Sequence, residues 1–189
     1  AGFTCPNRDG VKALGGCIYC ENRSFSINAD SPDPVDAQIR SGIEIGRRKG
    51  VAHFIVYYQA YTTTYAPVAK LREIYAIALR FPEVVGISIG TRPDCLSGAV
   101  IDLVSGLAEK IPVWLEIGLE TSHDRSLRWM NRAHTYGDFE EAVLRCAGRP
   151  FDRVAHLIYG VPGETHDEMM LTTERIAALP IDSIKVHHL

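Results

Sequence analysis

The sequence predicts an α/β domain of barrel type, in which parallel strands alternate with helices. Three observations carry that prediction. Five short β-branched runs are almost continuously apolar, as strands covered on both faces are. The segments between them repeat apolar residues at helical spacing and are long enough to make neighbouring strands parallel. Each of the first four runs then gives way at once to a polar or glycine-rich stretch, on the edge where β/α folds keep their ligand sites.

The elements follow in order. A helix over 34–49 places Val35, Ile39 and Ile43 on one face and ends at "RRKG", basic residues in the last turn and then Gly50 as a stop. The first strand is "HFIVYY" (53–58), followed by "QAYTTTY". Val68, Leu71, Tyr75, Ala78 and Leu79 mark the next helix, and "VVGISIG" (84–90) the second strand, followed by "TRPD". Val100, Val104, Leu107 and Ala108 form a helical stripe before the third strand, "VWLEIGL" (113–119), which runs into "ETS". Phe139, Val143 and Cys146 mark a helix before "VAHLIYG" (154–160), and "VPGET" follows. There Thr165 and Glu168 have the spacing of a capping box that opens another helix. The last run is "SIKVHHL" (183–189).

A chain of 189 residues with 46% hydrophobic content supports one complete core rather than two. A formal charge of -3 gives no electrostatic footprint for nucleic acid or a membrane surface. No apolar run approaches the roughly 20 residues of a membrane span, and no signal peptide is visible. Because it begins at Ala1 and stops at Leu189 within an apolar run, the sequence reads as a piece of a longer protein. Its five cysteines are odd in number and clustered, unlike a secreted disulfide scaffold. A reducing, cytoplasmic setting is therefore expected.

Three of those cysteines fall in "CPNRDGVKALGGCIYC", at positions 5, 17 and 20. A structural zinc site usually closes with four ligands, often as two C-x-x-C knuckles, and here there is one knuckle and a lone Cys5. Cys146 lies on the apolar stripe of a helix and reads as core, and Cys95, after a strand, reads as structural. Three thiolates on a cubane iron–sulfur cluster would instead leave one iron open for chemistry. Gly15 and Gly16 supply permissive backbone for such a loop, and Tyr19 would set an aromatic ring beside it. Because the loop precedes the first visible strand, a further strand is expected before Ala1 to bring the cysteines to the same rim.

The chain resembles the radical S-adenosylmethionine (SAM) superfamily, in the branch of the elongator catalytic subunit and the oxygen-independent coproporphyrinogen oxidases, and most of all the bacterial YhcC-like family. The resemblance rests on "GFTCPNRDG", "YYQAYTTTYA", "IGTRPDCL", "LEIGLET" and "HLIYGVPGET", in family order along nearly the whole chain. The cysteine spacing is longer than the superfamily's commonest C-x3-C-x2-C form, as it is elsewhere in the branch. The resemblance implies a partial (β/α)6 barrel similar to a TIM barrel, with residues 1–189 a single core domain whose first strand and C-terminal region lie outside the chain.

It also implies a [4Fe-4S] cluster on Cys5, Cys17 and Cys20, and SAM chelated by the open iron and cleaved to a 5′-deoxyadenosyl radical. Tyr19 then lies against the adenine. Gln59, Ala60 and Tyr61 stand where the superfamily has a glycine-rich loop whose backbone receives the methionine amine; the glycines are absent here, which leaves a role to backbone carbonyls. Glu120 is placed to bind the ribose, with Glu116 a second candidate that could instead reach Arg92 or His156. Arg132 in "WMNRAHT" matches the arginine that pairs with the SAM carboxylate. His156 matches a ribose or adenine contact, and the loop of Gly160, Val161 and Gly163 the adenine wall. Thr91, Arg92 and Asp94 lie on the rim, where Arg92 either contacts SAM or substrate or pairs with Asp94. His187 and His188 could face substrate.

An electron donor such as flavodoxin or ferredoxin is implied as partner. The branch suggests tRNA modification or a porphyrinogen-type oxidation, although "RRK" at 47–49 is sufficiently explained as a helix C-terminus and nothing basic supports RNA contact. Two other classes stand beside this one: a zinc-binding α/β module without catalysis, which needs a fourth protein ligand, and a barrel enzyme with redox-regulatory thiols. Neither calls for four polar motifs on one rim.

Overall fold

A computed structural model describes residues 2–26, 28 and 31–189. A short helical turn, α1 (Asn22–Phe25), and α2 (Val35–Arg48) precede the sheet. There follow β1 (Phe54–Tyr58), α3 (Val68–Ala78), β2 (Val84–Thr91), a 3-10 turn at Pro93–Cys95, α4 (Gly98–Ala108), β3 (Val113–Glu120), α5 (Asp124–Trp129), α6 (Tyr136–Arg145), β4 (Asp152–Tyr159), α7 (His166–Ala177) and β5 (Ser183–His188). All five expected strands are present, and they form one parallel sheet in chain order, β1 to β5.

The sheet is curled. In a flat sheet β1 and β5 would lie about 19 Å apart, four spacings of roughly 4.8 Å. Yet Lys185 of β5 donates to the hydroxyl of Tyr57 of β1 at 3.1 Å across the concave face. The fold is therefore the expected partial TIM-like barrel.

Leu115, Ile117, Leu119, Ile87, Ile89 and Leu157 are completely buried, and α3, α4 and α6 cover the sheet with Leu71, Tyr75, Val104, Phe139 and Val143. Each such side chain contributes about 1.5–3 kcal/mol of burial. The expectation of strands covered on both faces holds for β3 and most of β2 and β4 and fails at the edges. Ile55 of β1 and Ile184 and Val186 of β5 are 53%, 46% and 47% exposed. Ile55 shares the concave face with Tyr57, whereas Ile184 and Val186 flank Lys185 on the outer face, and no described residue fully covers either position.

Local chemistry sets the helix ends. Thr135 and Thr165 each accept from the third helical N–H while Asp138 and Glu168 reach back to the cap, so α6 and α7 both start with capping boxes. Only the second was legible in advance, and α6 begins three residues before the first expected position. Helix α2 ends in Arg47 and Arg48 with Gly50 at φ 80°, as the sequence implies.

Candidate functional site

Between Cys5 and Cys17 the chain makes a compact excursion. Arg8 N donates to Cys5 O and Lys12 N to Pro6 O, both at 2.8 Å, and Asp9 bridges Leu14. The return is made by Gly15 and Gly16 at φ 82° and 78°, where a Cβ on Gly16 would also meet Arg8 at 3.0 Å. A tight turn, Cys20 N to Cys17 O at 3.0 Å, then separates the last two thiols. The long spacing between the first two cysteines thus forms a closed loop that returns Cys17 to Cys5.

This loop is strapped to the segment after α5. Ile18 N donates to Met130 O (3.1 Å), Asn131 Nδ2 donates to the carbonyls of Leu14 (3.0 Å) and Gly16 (2.8 Å), and Asn7 Nδ2 donates to Asn131 O. The same segment delivers Arg132, which is 7% exposed. Its Nη2 donates to Gly118 O (2.6 Å) and lies 3.2 Å from Glu120 Oε1; Nη1 reaches Cys17 Sγ (3.4 Å) and Nε reaches His134 Nε2 (3.0 Å). Burial and the charges of Arg132 and Arg92 push His134 down to about 2, so the imidazole is neutral, accepts at Nε2 and donates from Nδ1 to Thr135 O.

Glu120 is aimed by the backbone. It sits at φ 80° beside a bulge in the β3–β4 ladder, and Gly118 leaves the room its side chain needs: a Cβ there would be 2.8 Å from both Arg132 Nη2 and Glu120 Oε1. Every non-glycine positive φ among the described residues lies in this region, at Tyr61, Glu120, Asn131 and Ala133. Such conformations cost on the order of 1–3 kcal/mol each and cluster at functional sites.

On the adjoining rim, Thr63 donates to Gly90 O (2.8 Å), Tyr75 donates to Thr63 O (2.7 Å), and the Thr64 and Thr91 hydroxyls meet at 2.5 Å. Thr91 is thereby occupied within the protein. Arg92 pairs with Asp94 (2.9 Å) and donates to Arg132 O (2.7 Å), so one rim arginine braces the other. Below them all five strands contribute to one polar layer around Glu116. Tyr57 (2.6 Å), Ser88, His156 (2.5 Å) and Lys185 (3.1 Å) all donate to its carboxylate. Burial alone would raise the acid, but hydrogen bonds from His156, Ser88 and Tyr57 reverse that and hold it well below the usual carboxylate range. Of the two interior partners foreseen for Glu116, His156 is present and Arg92 is committed elsewhere.

A cavity of about 330 Å³ unites these features. Cys5, Cys17, Cys20, Tyr19, Gln59, Tyr61, Thr91, Arg92, Glu120, Arg132 and His156 line it, together with Glu116, His187 and His188. Asp94, Gly160 and Gly163 do not, and nor do two further expected residues. Ala60 turns toward a neighbouring cleft with Gly2 and Phe3. Val161 is 2% exposed among Leu127, Met130 and Ile158, a small apolar cluster that supports the Tyr19 ring from behind. Asn7, Asn22, His134 and Gly118 were not singled out in the sequence. An Asn two residues after both Cys5 and Cys20 was the available signal.

The donor set suits an iron–sulfur cluster better than one metal ion. No group of three His, Cys, Asp or Glu among the described residues is gathered around a single ion position, whereas a zinc site needs four ligands at roughly 2.0–2.3 Å from one point. The three thiols instead share a cavity wall. Burial pushes the Cys20 thiol up, and the neighbouring Cys17 adds to this; a cationic centre bound between them would supply the missing positive charge. N–H groups of Asn7 and Arg132 approach Cys17 Sγ, both at 3.4 Å, and Asn22 Nδ2 approaches Cys20 Sγ at 3.6 Å.

Comparison with known proteins agrees with this geometry. The family model described as the radical SAM superfamily matches residues 5–176. Protein YhcC of Escherichia coli K12 is 38% identical over 189 residues, which cover 100% of this chain and 60% of that protein. The chain thus spans about three fifths of the length of that curated relative. Among solved structures, archaeal Elp3 from Methanocaldococcus infernus superposes with a TM-score of 0.66 at 20% identity, over 82% of this chain and 42% of that one. Coproporphyrinogen III oxidase (HemN) from Escherichia coli, described as a radical SAM enzyme, gives 0.59 at 22% identity, over 71% and 31%.

Proposed function

The chain belongs to the radical SAM superfamily and its YhcC-like family, and from that premise we propose that it forms the catalytic core of an enzyme that binds a [4Fe-4S] cluster and cleaves SAM reductively. When bound, the cluster and SAM supply a low-potential electron and a 5′-deoxyadenosyl radical that takes hydrogen from a substrate. The single observation that carries the proposal is that three thiols of one loop share a cavity with the buried Arg132–Glu120 pair.

The chain's own groups bind, orient and shield. Cys5, Cys17 and Cys20 hold the cluster. Arg132 presents cationic N–H groups to a carboxylate while its backbone carbonyl is held by Arg92. Glu120 accepts from ribose hydroxyls, and His156, whose Nε2–H is fixed on Glu116, faces the same space through the rest of its ring. Tyr19 closes one wall against adenine. Gln59 and Tyr61 offer backbone carbonyls to the methionine amine. Substrate enters past His187 and His188.

A one-electron donor such as flavodoxin or ferredoxin is the proposed partner in a cytoplasmic setting, and no helix among the described residues is long and apolar enough to cross a membrane. By analogy within the branch we extend the proposal to tRNA as substrate, with a porphyrinogen-type oxidation as the second reading. The deciding experiment is anaerobic iron and sulfide reconstitution of the full-length protein, with electron paramagnetic resonance of the reduced form with and without SAM. A cubane signal that changes on SAM addition supports the proposal; tight zinc binding and no cluster signal would sink it.

A further inference from the structure

We propose that Asn7 and Asn22, together with Arg132, set the reduction potential of the cluster by donating hydrogen bonds to two of its three cysteine sulfurs. The inference rests on the cluster-binding reading above and adds to it a role for two residues outside the cluster and SAM ligand sets.

The geometry is that of donors aimed at sulfur. Asn7 Nδ2 lies 3.4 Å from Cys17 Sγ and Arg132 Nη1 lies at the same distance from the same atom; Asn22 Nδ2 lies 3.6 Å from Cys20 Sγ. Asn7 is 0% exposed and Asn22 4%, so these dipoles act where water does not weaken them.

The orientation of each amide is fixed by its other partner. Asn22 Oδ1 accepts from Tyr61 N at 2.9 Å, which turns the NH2 toward Cys20. Asn7 spends its NH2 on Cys17 and on the Asn131 carbonyl, and its Oδ1 is buried without a partner. The opposite orientation would set oxygen against the Asn131 carbonyl. A buried acceptor left unsatisfied is destabilising, and here that cost accompanies an N–H directed at sulfur.

The sign follows from charge. Reduction adds an electron to the cluster and makes its sulfurs more negative, so donors and cations beside them favour the reduced state. Arg132 has the largest charge, but it shares that charge with Glu120 at 3.2 Å. The two neutral amides have no such counter-ion, which makes them the cleaner levers.

The test is a redox titration of the reconstituted full-length protein followed by electron paramagnetic resonance, comparing wild type with Asn22→Asp and Asn7→Ala. Asn22→Asp keeps the acceptor for Tyr61 N and replaces the donor with an anion. At a fixed applied potential its ratio of reduced to oxidised cluster should fall at least tenfold, a shift of about 59 mV for a one-electron couple. Asn7→Ala should shift in the same direction by less. In deuterated solvent, pulsed measurements on the reduced wild type should show exchangeable deuterons coupled to the cluster, with one coupling lost in Asn22→Asp. A wild type that holds no cluster would overturn the cluster reading itself. A normal cluster with unchanged potentials in both variants would overturn this inference and leave that reading standing.

Discussion

Lys185 of β5 and Tyr57 of β1 meet at 3.1 Å, although three strands separate them in the sheet, and both donate to Glu116 of β3. The concave face is thus bound across its middle by one carboxylate with donors from four other strands. Glu116→Ala leaves Ser88 and His156 without their acceptor in a place water reaches poorly, whereas Lys185 can turn outward. Removing one partner from a buried ionic cluster costs about 3–5 kcal/mol, and partial exposure puts the expected loss near the lower figure. Glu116→Gln keeps two acceptor sites and should lose about half as much. Urea denaturation of the three proteins checks the order; equal midpoints would show that the layer adds nothing to stability.

The pH dependence of stability should show two separate steps on the acid side. Burial holds folded His134 down at about 2, against an ordinary value of 6.5. A depressed folded value means that the unfolded chain binds the proton first, so this stabilisation is complete above 6.5 and is lost as pH falls from there toward 2. Glu116 is also depressed, from an ordinary value of 4.5, and its contribution is lost only below that. Between pH 7.5 and 5.5 His134 accounts for a loss of about 1.4 kcal/mol, and His187, held below its ordinary value by burial and by the neighbouring His156 and Lys185, adds to it. His134→Gln, which can still accept from Arg132, should remove the larger part of the loss in this window and leave the lower one unchanged. A wild-type midpoint that does not move between those pH values would rule out a neutral buried His134.

Gly118→Ala tests the Arg132–Glu120 pair without touching either charge. The added Cβ would fall 2.8 Å from both side chains, and neither is a loose surface chain free to move aside. Overpacking of this kind costs about 1–3 kcal/mol. Because the displaced groups are the proposed carboxylate and ribose contacts, SAM affinity measured by calorimetry on the reconstituted protein should fall at least tenfold. Lower stability with unchanged affinity would remove the pair from the SAM site.

The fold was legible because its signal is repetitive: five β-branched runs, the first four each with a polar end, leave few arrangements beyond a parallel β/α sheet. Cys5, Cys17, Cys20 and Arg132 stood out by residue type and motif. Glu116 was visible as a costly buried acid, but its partners Tyr57, Ser88 and Lys185 were not. They converge only because the sheet curls, and curvature has no local signature. Gly118 was likewise hidden, as its purpose is the space it leaves for side chains 2 and 14 residues away in the chain. The burial of the Val161 side chain beneath Tyr19 was not legible either, because proximity to the rim in sequence does not say which side of that ring a residue takes.

The five cysteines should divide cleanly. Burial pushes Cys95 up to about 12 and Cys146 up to about 11, so neither offers a thiolate at neutral pH. Cys95→Ser and Cys146→Ala should retain the wild-type iron and sulfide content after reconstitution, with Cys146→Ala losing about 1–2 kcal/mol from a filled core. Cys5→Ala, Cys17→Ala and Cys20→Ala should each lose most of the iron. Full iron content in any one of these three would break the ligand assignment.

Ala133→Gly separates strain that serves the site from strain that does not. Ala133 sits at φ 54° between Arg132 and His134, and its side chain is exposed. The left-handed region costs an L-residue about 1–2 kcal/mol, while glycine enters it freely and gives back about 0.5–1 kcal/mol through the entropy of the unfolded chain. A net gain of about 0.5 kcal/mol is expected in denaturation. If the strained loop only routes the chain, SAM affinity and the cluster signal should not change, because Arg132 remains held by Gly118 O, His134 and Arg92. Greater stability accompanied by weaker SAM binding would mean that the alanine stiffens the approach to Arg132, and that stability has been given up there to fix the guanidinium in place.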